Sequence, residues 1–96
     1  MHNLGYHIIF CPKYRRAVLC GEVRERLIVL FGEKADDLGV RIESAEVMPD
    51  HVHLFVKASP VLAPHFWVGQ LKGYTSRTLR KEFPSLVRRL PSLWTR

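Results

Sequence analysis

Two histidines one residue apart, His51 and His53, follow a Pro49-Asp50 pair and open an alternating run, His51-Val52-His53-Leu54-Phe55-Val56. Side chains at i and i+2 of a strand point to the same face. Read as a strand, this run projects both imidazoles side by side beside a rigid turn. Val52, Leu54 and Val56 point the other way and supply a face to bury. Neutral imidazole is the commonest protein metal ligand, and a pair preset on one strand lowers the ordering cost of chelation. An isolated His-x-His more often simply occupies the solvated face of a half-buried strand, so its surroundings decide its meaning. Glu46, just before the turn, is near enough in sequence to approach the histidines, although an ion pair or plain exposure is its expected fate.

A second set of residues suits phosphate. Lys13-Tyr14-Arg15-Arg16 is a basic cluster with an aromatic inside it, either a solvated loop or a phosphate grip in which Tyr14 stacks on an exposed base. Lys72, Arg77 and Arg80, with Lys81, make a basic side of a later helical segment. The formal charge of +6 points to a polyanionic partner, nucleic acid before an anionic membrane surface.

The elements that must position these groups follow from periodicity. Residues 5–11 (GYHIIFC) are rich in β-branched and aromatic types and stop at Pro12, as a first strand does. Over 22–38, Val23, Leu27, Leu30, Phe31, Ala35 and Leu38 recur at helical spacing, and Gly39 supplies a left-handed cap. Residues 40–48 and 51–58 are two strands joined at Pro49-Asp50 as a hairpin. A helix over 65–83, opened by Pro64 and ended by Pro84, presents Trp67, Val68, Leu71, Leu79 and Phe83 to the core. After a basic link at Arg88-Arg89, residues 91–96 are expected to approach a further strand. Strand, helix, strand, strand, helix and an incipient strand form the split βαβ order of α+β, ferredoxin-like folds. Both helices then cover one face of an antiparallel sheet, and His51, His53, Phe55 and Lys57 share the open one.

Length and composition bound the alternatives. Ninety-six residues make one domain, and 47% hydrophobic with 25% charged residues is ordinary for a globular chain. Apolar runs are far short of the roughly 20 residues that span a bilayer, and the pattern of a secretory signal is missing. Cys11 and Cys20 are too few for a disulfide framework, which suits a reducing cytoplasm.

Three stretches together resemble a known family. They are Tyr6-His7-Ile8-Ile9-Phe10-Cys11-Pro12-Lys13-Tyr14-Arg15-Arg16, then Met48-Pro49-Asp50-His51-Val52-His53-Leu54, then Leu71-Lys72-Gly73-Tyr74-Thr75-Ser76-Arg77 with Leu79-Arg80 and Glu82-Phe83-Pro84. In order and spacing they are similar to the HUH, single-tyrosine transposases of the smallest bacterial insertion sequences, which move as single-stranded DNA. The tail Leu93-Trp94-Thr95-Arg96 is similar to that family's entry into its last strand.

The resemblance implies a ferredoxin-like or RRM-like fold, a homodimer, and recognition of hairpin-bearing single-stranded DNA. It further implies that His51 and His53 ligate a divalent metal, Mg²⁺ or Mn²⁺, and that a tyrosine attacks the scissile phosphate to leave a 5′-phosphotyrosine link. That tyrosine lies on a helix after the last strand in the family, and Tyr6, Tyr14 and Tyr74 do not match its position. The sequence therefore reads as a transposase domain truncated before the tyrosine helix, with the last strand incomplete and strand transfer lost. The unpaired edge left at 5–11 is then expected to recruit another chain. The alternative is a non-catalytic single-strand nucleic-acid-binding module on the same fold. A small metal-binding or assembly protein leaves the match at 71–84 without an explanation.

Overall fold

The computed structural model describes residues 3–95. In chain order they form β1 (Leu4–Phe10), a single 3₁₀ turn (Lys13–Arg15), α1 (Gly21–Leu38), β2 (Arg41–Met48), β3 (His51–Ala58), α2 (Pro64–Glu82) and α3 (Pro84–Arg89). The three strands make an antiparallel sheet in the order β1-β3-β2, so β3 is paired on both sides. The fold is α+β, as the order of periodic segments predicts, and β3 has the predicted limits.

Alternation along β3 separates the two faces. Val52, Leu54, Val56 and Ala58 are buried, whereas His51, His53, Phe55 and Lys57 are each only half-buried. The buried set packs with Leu27, Leu30, Phe31 and Ala35 of α1 and with Trp67, Leu71 and Leu79 of α2 in one core. Each helix follows from its sequence. The cap of α1 is Gly39 at φ 75°, where a side chain would be strained, and its N–H reaches the carbonyls of Ala35 and Asp36. Pro64 opens α2 in the first turn, where its missing N–H costs nothing.

The C-terminal segment departs from expectation twice. Residues 84–89 are helical rather than a basic link. Pro84 drives Phe83 out of helical geometry, to φ −125° and ψ 83°, and then serves as the first residue of α3. One proline thus ends a helix and begins the next, with Leu86 buried beneath it. Residues 91–95 form no strand of their own. They make one isolated antiparallel bridge, Pro12 with Trp94, flanked by Lys13 N–H to the Leu93 carbonyl and Thr95 N–H to the Cys11 carbonyl, both 2.8 Å. The expected approach to a strand reaches only this bridge, and Arg96 lies outside the described residues. Leu93 and Trp94 are buried, and the Trp94 indole donates to Thr75 Oγ1 (2.9 Å), which donates to the Leu71 carbonyl (2.7 Å). Along Leu4–Phe10, β1 pairs only with β3, so its outer edge carries no strand among the described residues. No helix among these residues is long and apolar enough to cross a membrane.

If β3 is the anchor of the sheet, removing one of its inward side chains is costly. Leu54→Ala should lower the unfolding free energy by about 2–5 kcal/mol in urea titration, with the unfolding slope unchanged. A loss below about 1 kcal/mol would show that Leu54 is not at the centre of the packed layer.

Candidate metal and nucleic-acid site

His51 and His53 lie on the sheet face opposite the helices, with side chains 36% and 39% exposed. Their environments differ. Asp50, an acceptor when ionised, takes a hydrogen bond from His51 Nδ1 at Oδ1 (2.9 Å). That contact fixes the tautomer and leaves His51 Nε2 with its lone pair, the arrangement carboxylates impose on metal-binding histidines. Both nitrogens of His53 face neighbours: Nε2 is 3.3 Å from His7 Nδ1, and Nδ1 is 3.7 Å from Glu46 Oε1. One imidazole N–H donates to the other's lone pair across the strand pair. Glu46 stands opposite His53 in the β2–β3 ladder and remains exposed, with a long polar contact of 3.7 Å to the ring.

The basic loop sits at the same end of the sheet. Arg15 Nη2 donates to Asp50 Oδ2 (3.2 Å), so Asp50 joins the loop to His51. Tyr14 and Arg15 both have left-handed backbones, φ 61° and 50°, a costly geometry for residues with side chains. The turn is held by Arg15 N–H to the Pro12 carbonyl (2.8 Å) and by the bridge to Trp94. Tyr14 is 67% exposed as a result, with the Lys13 ammonium 5.7 Å from its ring centre, and Arg16 is also exposed. Position 13–16 is therefore a fixed, outward-facing basic turn beside the histidines.

The helical cations are less uniform than their spacing suggests. Lys72 donates to the Thr95 carbonyl (3.0 Å) and lies 5.7 Å from the Phe10 ring centre, so it secures the tail near the loop. Arg80 donates to the Leu90 carbonyl (2.9 Å) at the end of α3, while Arg77 is exposed. Tyr74 donates to Glu33 Oε1 (3.1 Å) on α1, on the helix side of the sheet and away from the histidines. That bond to Glu33, reinforced by desolvation, pushes the Tyr74 hydroxyl up from its ordinary value. Tyr6 packs edge-on against Trp67, with centroids 5.3 Å apart.

Sequence reasoning missed His7 as a member of this constellation. Its ring stacks on His53 (centroids 5.3 Å) and lies 4.8 Å from that of Phe55. The available signal was alternation in β1: Tyr6, Ile8 and Phe10 are the inward set, which puts His7 and Ile9 outward. Among the described residues, no group of three or more His, Cys, Asp and Glu side chains is gathered to hold a metal. Any cation held by these two imidazoles would have to take most of its coordination sphere from water or phosphate oxygen.

The site is thus an antiparallel sheet with one covered face and, on the other, a histidine pair beside a basic turn. The chain belongs to the IS200-like transposase family, whose sequence model matches residues 1–96. It is 40% identical over 96 residues to the ISDra2 transposase TnpA of Deinococcus radiodurans, covering 98% of this chain and 69% of that protein. The transposase of insertion sequence IS200 from Salmonella typhimurium is 36% identical over 84 residues, 88% of this chain. The chain spans 55% of that Salmonella protein's length. Among solved structures, a candidate transposase from Deinococcus radiodurans R1 superposes with a TM-score of 0.91 at 35% identity, over 99% of this chain and 75% of that one.

The Asp50 carboxyl is held below the usual carboxylate range, first by its hydrogen bond from His51 and then by Arg15. A depressed folded-state value means that these contacts stabilise the fold above the unfolded carboxyl's pKa of about 4 and are lost as pH falls through the folded value. Carbon-detected NMR titration should show Asp50 titrating low, His51→Ala raising it most and Arg15→Ala raising it less. An Asp50 that titrates normally in the parent chain would break the link between the loop and the histidine.

Proposed function

We propose that this domain cuts and rejoins single-stranded DNA at hairpin-bearing insertion-sequence ends, in the manner of HUH transposases. The observation that carries the reading is the pairing of His51 and His53 on the uncovered face, with His51 Nε2 left available by Asp50. The two histidines would be the protein ligands of a Mg²⁺ or Mn²⁺ ion, His51 through its available Nε2 and His53 by giving up its contact with His7 or Glu46. When bound, such an ion polarises the scissile phosphate and offsets charge on the departing 3′ oxygen.

The chain's own residues then divide the work. Asp50 orients His51, and His7 restrains the ring of His53. The turn at Lys13, Tyr14, Arg15 and Arg16 grips phosphates flanking the scissile one, and Arg77 extends the basic surface on the helix side. Lys72 and Arg80 contribute chiefly by fixing the tail and α3 against the helices. The attacking hydroxyl would be a tyrosine in the part of the relatives' length that this chain does not span: Tyr6 and Tyr74 are engaged on the covered side of the sheet, and Tyr14, exposed in the basic turn, does not match the position of the family's nucleophile. Its oxygen bonds to phosphorus, the bond to the 3′ oxygen breaks, and the 5′-phosphotyrosine conserves the energy for rejoining. The working form is a homodimer. Without such a tyrosine, the same surface acts as a single-strand binding module.

A nicking assay on a hairpin substrate tests this, comparing the 96-residue chain with one extended to the full length of its relatives. The extended chain should form a covalent protein–DNA adduct that needs Mg²⁺ or Mn²⁺, and His53→Ala should reduce it at least roughly 100-fold. The short chain should bind the substrate without cutting it. Cleavage that persists in chelator, or in a His51→Ala/His53→Ala double variant, would contradict the proposal.

A further inference from the structure

The uncovered face carries further aromatic surface beside His51 and His53. Phe55 stands directly opposite His7 in the β1–β3 register, and their rings are tilted by 32° with centroids 4.8 Å apart. Phe55 also leans over Gly5. A Cβ added there would lie 2.8 Å from Cζ and 2.9 Å from Cε1 of the phenyl ring, so glycine is the residue that lets the ring rest on the strand backbone. His7 is exposed, and Ile9 continues the same face at 66% exposure. The helices pack against the other side of the sheet. Among the described residues, these rings are therefore held in place from below without a protein layer over them.

We propose that Phe55 and His7, seated over Gly5, form a stacking platform for one nucleobase of a single strand whose neighbouring phosphate lies at His51 and His53. The proposal rests on the reading of this site as one for single-stranded DNA, and adds the base contact that reading lacks. Three features favour a nucleic-acid strand as the occupant. Every base offers a π-face, so aromatic rings on an open sheet bind single strands with little regard to sequence. Lys57 shares the face two residues beyond Phe55, and the turn carrying Arg15 and Arg16 lies at the opposite end of β3. A strand laid along β3 thus meets cations at both ends, with rings and imidazoles between. Phe55 is also only two residues from His53, about 7 Å along the strand, which puts the stacked base and the held phosphate in adjacent nucleotides.

The test is fluorescence anisotropy of the 96-residue chain with a short labelled single strand of mixed sequence, at low salt and without divalent metal. Phe55→Ala should weaken binding roughly ten-fold, the scale of one lost base–aromatic stack, and Phe55→Trp should bind at least as tightly as the parent. Gly5→Ala should weaken binding in the same direction by displacing the ring, and should add nothing in the Phe55→Ala background. An oligonucleotide of the same length with abasic sites should be insensitive to Phe55→Ala. Circular dichroism melting of both variants identifies any general loss of fold. If Phe55→Ala and Gly5→Ala both bind within about two-fold of the parent while Arg15→Ala is weaker, the platform is refuted and the single-strand reading stands. If the parent chain does not bind the single strand at all, both fall together.

Discussion

The structure depends on the two-sidedness of one strand. Because β3 is hydrogen-bonded on both edges, it cannot rotate to exchange its faces, and a slip of one residue would bury the histidines and expose Val52, Leu54 and Val56. The apolar side chains beneath the helices therefore hold the imidazoles above them in register. Burial on one face of β3 thus sets the placement of the side chains on the other.

Around that strand, each neighbour contributes a different restraint. From β1 comes His7, which occupies one nitrogen of His53, and from the turn before β3 comes Asp50, which occupies one nitrogen of His51. The turn after β1 brings Arg15 to the far oxygen of Asp50, at the cost of two left-handed residues in succession. Such strain persists only where surrounding contacts over-determine it, and here the tail supplies them through Leu93, Trp94 and Thr95. The C-terminal residues thereby act on the loop beside the histidines as well as on the core, where the Trp94 indole meets Thr75.

Much of this was readable from residue types and spacing, and the exceptions have physical causes. Strict alternation gave the limits of β3 and its two faces, because a period of two over eight residues admits few alternatives. The main helices were placed to within a residue, since Gly39 and Pro64 mark their ends chemically. Proline at position 84 was ambiguous, being compatible with a terminator and with a first helical residue, and only the packing of Leu86 decides between them. The contact between His7 and His53 spans 46 positions, and Arg15 meets Asp50 across 35, so both depend on strand register that no local pattern encodes. The internal bonds of Lys72 and Arg80 were hidden for the same reason: a helical wheel shows a basic side but not which cations the tail and α3 engage.

On the proposed reading, the His51–His53 pair holds a cation on the open face of the sheet. Crystals of the chain grown or soaked with Mn²⁺, with anomalous diffraction recorded at the manganese edge, test it most directly. The account predicts a single strong peak within coordination distance of both imidazoles, on the face opposite the helices, that disappears in His51→Ala. A peak elsewhere on the chain, or none beside the two rings at saturating Mn²⁺, would contradict it.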